Sequence, residues 1–563
     1  MSNTTNPLID VDFVDNTNYA NPLSTDDVVG GVVETVWGKV DQMVLLDSVS
    51  WEAFANPLGL ARVNQSYATI RRLFDAGAKY IEVYRPSKNE KYLFVTGVAN
   101  DSGDNPTLTV TAKDVEPSKA EKYEEDFWTD KKGVFCIRYR YPGGFPGKLE
   151  VIPFPPEARK PEELNGVALF TINLYLNGAQ DPTETFTVSF TQAEASGESF
   201  FYAEVLNNQS QYLTAKLDFV AEGLDETLLS VKENADVDYT EMFTGEGGIW
   251  NPKPLTIQDY IDAYEKFRDR TRSSSTLLIS TFNPNYNKTA AGDTSDGDVL
   301  NIYGKLCEVS NARKDMNALI GCRKQEFNGT DESDRKQAIQ KYIDSIPSQG
   351  MFNAAYAAVE RVVVRNKAFL LDGTATAAGA IASVAASLKN RNRLPSYMET
   401  GKVNAVLMKS LEFNTVVELM DEYGIGSIYT AASGNYLFNI RSRYSIQRSY
   451  FGKLNVMRVT AALLAWLMTD AEYAIHTEVT SDEAQRIAFQ ERCNSKLGQM
   501  IARGELKSES YISAGNDINT DALTNGGECL NLEAYCWFKK LTERVKIKVI
   551  ATDTTTSVSI SQE

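Results

Sequence analysis

Polar and apolar positions alternate with a period of two in three short runs near the chain ends. Ile9, Val11 and Phe13 alternate with Asp10 and Asp12, Val545, Ile547 and Val549 alternate with Arg544, Lys546 and Lys548, and Val558 and Ile560 flank Ser559. Such alternation predicts strands with one apolar face. The first and last runs are set off by polar linkers at 14–27 and 551–557. Two or three apolar side chains do not sustain a sheet alone, so each run must add to an existing sheet edge, in its own chain or in a neighbour. Residues 1–25 and 551–563 therefore read as extended terminal arms.

Between the arms the pattern divides into four blocks. Strands at 28–36 and 43–46 surround Trp37 and Gly38, and a helix follows near 50–54. A second helix, N-capped by Asn64, carries Tyr67, Ile70 and Phe74 on one face and stops at Gly77, before a strand at 79–84. Residues 26–100 read as an N-terminal α/β unit. From 101 to 215 short runs at 108–111, 134–139, 148–152, 169–176, 185–191 and 201–205 alternate with turn clusters, which predicts a β-sandwich or barrel. Residues 216–420 begin with an acidic stretch. They then alternate strands (277–280, 317–320, 367–371) with helices (298–312, 353–361 and the Ala-rich 374–388), an α/β layer pattern. In 421–550 strands are expected at 425–429, 437–440 and 472–479, with a buried helix at 455–468. A long helix at 481–503 has Thr480 and Glu483 at capping-box spacing, which makes this block α+β.

Composition removes several classes of function. The chain has 563 residues and a net charge of −18, from 57 basic and 75 acidic residues. Such a balance opposes general binding to nucleic acid or to anionic membranes, and self-assembly must rest on specific interfaces. The longest apolar window, 456–468, contains Arg458 and is shorter than the ~20 residues a membrane span needs. The polar N-terminus carries no signal-peptide pattern, so a soluble intracellular product is expected.

Catalytic chemistry is equally constrained. His476 is the single histidine, and any His-based triad, base or zinc site would have to use it; it sits in the expected strand at 472–479, and no G-x-S-x-G elbow occurs. Cys136, Cys307, Cys322, Cys493, Cys529 and Cys536 form no C-x-x-C pair and read as free thiols. The acidic stretch lacks a D-x-D-x-D-G loop, and the run GGFPGK at 143–148 is followed by Leu149 where a phosphate loop needs Ser or Thr. No catalytic, cofactor or metal residue is assigned. On the helix at 481–503, Phe489, Cys493, Leu497, Met500 and Ile501 fall on one arc, and Arg492, Lys496 and Arg503 form a neighbouring stripe. A cationic stripe in an acidic protein could dock an acidic partner or could simply be a solvated face.

Several runs resemble contractile phage tail sheath proteins. The segments GGVVETVWGKV (30–40) and LLDSVSWEAF (45–54) are similar to the family's opening strand pair and helix. The stretch from Ser66 to Arg85 looks like its next helix, glycine and strand. Residues 169–190 are similar to its β-domain, Cys307, Glu308, Arg313 and Lys314 to its central helix, and LNVMRV (454–459) to a helix start near the C-terminus. Lys39 stands where proline is common, and TSDE (480–483) where the family has F-E-P-N. The resemblance implies a structural subunit without catalysis and without cofactor, whose middle domain is subtilisin-like. Such a subunit would form stacked hexameric rings around a tail tube and contract to drive the tube through the host envelope. Its partners would be further copies of itself, the tube, baseplate and tail terminator proteins. Its place would be the virion tail, assembled in the host cytoplasm. Terminal arms would add strands to a neighbour's sheet, with 545–550 part of the receiving sheet, and Arg492, Lys496 and Arg503 would face the tube. Related injection sheaths share these features. From other classes, a subtilisin-like hydrolase using His476, or a binding module built on the β-domain, remains open at the level of sequence.

Overall fold

The computed structural model describes residues 26–55, 63–88, 90–100, 107–129, 133–143, 147–153, 169–190, 194–195, 198–216, 255–282, 296–322, 329–395, 402–403, 411–431, 434–438, 441–444, 449–474, 482–520, 524 and 529–541. The arm residues Ile9, Val11, Phe13, Val545, Ile547, Val549, Val558 and Ile560, and also His476, lie outside them.

Nine strands form the central sheet: β1 (Val28–Val32), β2 (Met43–Leu46), β3 (Tyr80–Tyr84), β4 (Leu277–Ile279), β5 (Asn317–Gly321), β6 (Asn353–Ala357), β7 (Lys402–Val403), β8 (Ile425–Ala431) and β9 (Gly434–Phe438). Their order is β7-β9-β8-β6-β5-β4-β1-β3-β2. Pairing is parallel from β8 through to β3, and antiparallel where β2 and β9 join. Every residue of β1, β4, β5 and β6 is buried, as expected of parallel strands covered on both faces. The helices α1 (Gln65–Asp75), α2 (Asp296–Arg313) and α3 (Thr374–Leu388) supply the covering layers. Asn64 caps α1 by accepting from the Tyr67 amide, as its position in the sequence predicts. Helices α1 and α3 touch backbone to backbone. A Cβ on Gly379 would sit 2.5 Å from the Leu73 carbonyl oxygen, so only glycine fits there.

This sheet redraws the expected boundaries. Residues 26–100 are not a unit of their own, because β1, β2 and β3 share one sheet with strands from 277 to 438. The boundary at 421 also falls inside this body, since β8 and β9 belong to it. The helix expected at 353–361 is instead β6 followed by a strand at Glu360–Val364, paired with Lys367–Leu371. Alanine favours helix, but β6 lies between β5 and β8, and the pairing on both sides outweighs that preference. Arg365 and Asn366 close the hairpin with φ of 47° and 64°.

The β-rich block forms two sheets, one of Tyr92–Asn100, Thr107–Val115, Gly133–Tyr139 and Leu213–Thr214, the other of Gly147–Pro153, Phe170–Leu176 and Glu184–Val188. Residues from both, among them Val95, Phe135, Ile137, Ile172, Leu174 and Phe186, share one core. The strand expected at 201–205 is the start of a helix, Tyr202–Gln209. Its buried Tyr202, Ala203, Val205 and Leu206 fit a helical face, and the guanidinium of Arg140 donates to the carbonyls of Asn207 and Ser210 at its end. Trp37 joins this domain to the central body, with its ring 5.5 to 5.8 Å from those of Tyr139, Tyr141 and Tyr212. Beside it, buried Arg85 donates to the carbonyls of Thr35, Gly38 and Pro142, tying both sides of the joint.

Glu124 lies fully buried under this domain's first sheet. Its nearest cations, Arg138 Nε at 3.8 Å and Lys216 Nζ at 4.0 Å, are too far for hydrogen bonds. Burial lifts its carboxyl above the ordinary 4.5, and the two cations offset this only in part. A raised folded pKa means that the folded state binds more protons than the unfolded one. Stability from this group is therefore complete below about 4.5 and is lost as pH rises through the folded value. Glu124→Gln should flatten that part of the stability–pH curve and gain stability over wild type at pH 8, read by urea denaturation. A variant curve parallel to wild type would contradict this.

The C-terminal part contains α4 (Leu454–Ala474) and α5 (Glu483–Ala502). Residues 472–474, expected in a strand, continue α4. Helix α5 is capped by Asp482, not Thr480, and the Asp482 carboxylate accepts from the amides of Ala484 and Gln485. A carboxylate next to the first turn satisfies these amides and also meets the positive helix end. Phe489, Cys493, Leu497 and Met500 are buried as the periodicity predicts, and Ile501 packs partly buried beside them.

Candidate assembly interface

The C-terminal helices carry a small antiparallel sheet of Tyr511–Ser513 and Glu533–Tyr535. Ile512 points inward and is buried among the side chains of α4 and α5. Asn494 on α5 uses both Ile512 backbone groups: its Nδ2 donates to the Ile512 carbonyl at 2.9 Å and its Oδ1 accepts from the Ile512 amide at 2.8 Å. That edge is closed by a side chain acting as a strand. Antiparallel ladders alternate, so if Ile512 points its amide and carbonyl outward, its partner Ala534 points its own outward along the opposite edge. All three residues of Glu533–Tyr535 are exposed, and no described residue hydrogen-bonds the Ala534 backbone. Among the described residues a short open edge remains, able to accept one more strand.

An aromatic ladder stands on the same sheet. The rings of Tyr511 and Tyr535 stack with centroids 4.8 Å apart, and Trp537 lies 6.1 Å beyond Tyr511. All three are 40–47% exposed, an apolar surface beside the open edge.

The cationic stripe is brought together only in part. Lys496 Nζ lies 2.6 and 2.7 Å from the two oxygens of Asp470 on α4, and Arg492 lies 3.0 Å from the same carboxylate. The side chain of Asp470 is 1% exposed, so these two cations pin α5 to α4. Arg503 pairs with Glu505 at 3.2 Å. Arg492 has the most open side chain of the three, 49% exposed. Arg486, on the far side of the apolar arc, is buried and bonds Asn516.

Sequence reading missed a buried ionic cluster around Asp27, just before β1. Arg458 on α4 pairs with Asp27 Oδ2, and Arg391 Nε lies 3.6 Å from Asp27 Oδ1. Thr276 Oγ1 donates to Asp27 Oδ1 at 3.0 Å, and Lys79 holds the neighbouring Asp26 at 3.1 Å. Residues 26 and 27, expected in the linker at 14–27, are instead held by the body. The signal available was Arg458, a charged residue near the start of an apolar helix, which demands a buried counter-ion. The cluster borders a cleft of about 1640 Å³ between the 265–277 segment and α4.

Other chemistry is sparse. All six cysteines are free, and Cys136, Cys307, Cys322 and Cys493 are buried. Among the described residues, no group of three or more His, Cys, Asp or Glu side chains could hold a metal ion, and no helix is long and apolar enough to cross a membrane.

The crystal structure of the sheath tail protein from Listeria innocua superposes with a TM-score of 0.50 at 13% identity, covering 89% of this chain and 93% of that one. The chain has a sheath tail protein fold. The sheath tail protein from Desulfitobacterium hafniense gives a TM-score of 0.45 at 11% identity over 92% and 94% of the two chains. The contracted sheath of an extracellular contractile injection system gives 0.38 at 14% identity over 54% and 75%. No protein-family model and no curated protein sequence matches the chain.

Proposed function

We propose that the chain is a structural subunit of a contractile sheath. It polymerises as stacked hexameric rings around a tail tube, and contraction drives the tube through a host envelope. The observation that carries this reading is the open edge at Ala534 on the C-terminal sheet, in a chain with the fold of a sheath tail protein. The arms at 1–25 and 551–563 supply strands to the neighbours' sheets, and the Tyr511–Ser513 and Glu533–Tyr535 pair receives one of them; 545–550 is a further part of the receiver. Strand addition suits this purpose because main-chain hydrogen bonds hold copies together with little demand on side-chain fit. The bodies then reorient as rigid units while the linkers flex, and the contracted lattice has the lower free energy.

The subunit works without catalysis, cofactor or metal. Its partners are other copies, the tube, the baseplate and the tail terminator, with no nucleic acid. Arg492, Lys496 and Arg503 remain the candidates for the tube-facing surface, Arg492 first because it is the most open of the three. The same architecture serves phage tails and other injection systems, and the phage tail is the reading adopted.

Deleting residues 1–20 tests the arms. Purified wild type should form long striated tubes in negative-stain electron microscopy. The truncated chain should stay folded by circular dichroism and form none. Undiminished tubes from the truncated chain would count against the arm model.

A further inference from the structure

The turn that follows α3 consists of Asn390, Arg391, Asn392 and Arg393, a polar run between an Ala-rich helix and Leu394. Arg391 and Asn392 are nonetheless 3% and 2% exposed. Several polar groups of this turn bond to segments distant in sequence.

On one side stands the root of the N-terminal segment. Arg391 Nε faces Asp27, and Arg458 donates to the Arg391 and Arg393 carbonyls, both at 3.1 Å, while also pairing with Asp27. Asp27 is thus held immediately before β1. On the other side stands the C-terminal segment. Asn392 Nδ2 donates to the Lys539 carbonyl at 3.1 Å. Asn392 Oδ1 in turn accepts from Asn455 Nδ2 at 2.6 Å, which fixes the side-chain amide. The end of α5 joins the same turn, because Asn390 Nδ2 donates to the Arg503 carbonyl at 2.8 Å and Glu505 accepts from the Arg391 amide at 3.0 Å.

We propose that this turn, together with Arg458, is the mechanical junction between the two terminal segments: Arg458 holds Asp27 and the carbonyls of residues 391 and 393, and Asn392 holds Lys539, so that a pull on one end passes to the other without crossing the central sheet. The proposal rests on the reading that both termini join neighbouring copies. In a lattice built that way, tension would enter each subunit on the N-terminal side of Asp27 and leave it on the C-terminal side of Lys539. A direct path through short polar contacts would carry it past the β-domain and past the β5–β8 region, which then need not deform. The polar character of the turn follows from this role. Hydrogen bonds and ion pairs are directional and resist shear at a fixed geometry, whereas apolar contacts can slide.

The test is single-molecule force spectroscopy on the free full-length subunit, which requires no polymer. Handles are placed at both chain ends, or at the N-terminus and an insertion in the exposed Asn177–Gly178 turn of the β-domain. Asn392→Ala removes the grip on Lys539 and leaves Asp27 untouched. Forced rupture reports the local barrier, so the first rupture force between the two ends should fall by about a third, while the N-terminus-to-177 geometry stays at the wild-type force. An equal loss in both geometries means that Asn392 has a general structural role, and no loss in either means that the junction does not transmit force. Either result overturns the proposal. If Asn392→Ala does not fold, Asn455→Ala frees the Asn392 amide and is read in the same way. If the subunit failed to form tubes, the proposed function would fall while the force measurements kept their meaning.

Discussion

Asp27→Ala is expected to lower the stability of the central body by about 3–5 kcal/mol, because it strands two buried guanidinium groups. The side chains of Arg458 and Arg391 are 2% and 4% exposed, too little for water to replace the lost carboxylate. Burial already disfavours the charged form of Arg391, and Asp27 is the first of the groups that offset this. Asp26→Ala, one residue away, removes an ion pair whose side chains are 32% and 55% exposed and should cost no more than about 1 kcal/mol. The pair of variants separates buried charge from exposed charge at one point in the fold. Urea denaturation followed by tryptophan fluorescence measures both. A loss under about 1 kcal/mol for Asp27→Ala would mean that the carbonyls of residues 391 and 393 satisfy Arg458 unaided. Replacing the pair together, Asp27→Leu with Arg458→Met, should recover much of the loss, because the penalty comes from the orphaned charge and not from the absent pair.

Ala534→Pro is expected to abolish tube formation while leaving the melting temperature of the free subunit near that of wild type. Proline removes the one outward amide of the open edge and places its ring where an added strand would lie. Ala534 is exposed, and its amide carries no hydrogen bond from any described residue, so the fold loses little. Electron microscopy reads the polymer and differential scanning calorimetry reads the fold. Tubes of wild-type length from a folded Ala534→Pro chain would show that strand addition does not occur at this edge. Ala534→Gly is the control: it keeps the amide and should keep the tubes.

What could be read in the sequence was local. Asn64 announces the start of α1 because capping depends on three neighbouring residues, and the alanines of α3 announce a closely packed helix because periodicity and side-chain size suffice. The strands β1, β4 and β5 declare themselves as apolar runs. The misreadings share a cause. The run NAAYA at 353–357 has a helical preference that pairing on both sides overrides, and Tyr202 to Leu206 satisfies either period over so short a span. Thr480 and Asp482 compete for one helix start, and only the fold selects the carboxylate.

The interface was less legible than the elements. Alternation at 9–13 and 558–560 suggested strands in search of an edge, and the family resemblance suggested where such strands go. Nothing local revealed that Asn494 closes one edge of the C-terminal sheet and so leaves Ala534 as the open one. The stripe of Arg492, Lys496 and Arg503 was correct as a pattern on a helix, but the engagement of Arg492 and Lys496 with Asp470 on the facing helix α4, and of Arg503 with Glu505 just beyond α5, came only with the fold.

The sequence by itself determined most of the element types among the described residues, the absence of ordinary catalytic signatures and the acidic balance. Those properties follow from composition and from periods of two and 3.6 residues, which any short window contains. Only the tertiary structure decided that segments on both sides of the β-domain build one sheet, that Asp27 lies against Arg391 and Arg458, and that the turn at 390–393 meets Lys539. These are contacts between residues more than a hundred positions apart. Their partners are chosen by packing and by the need to pair buried charge, and no window of sequence holds both halves of such a choice.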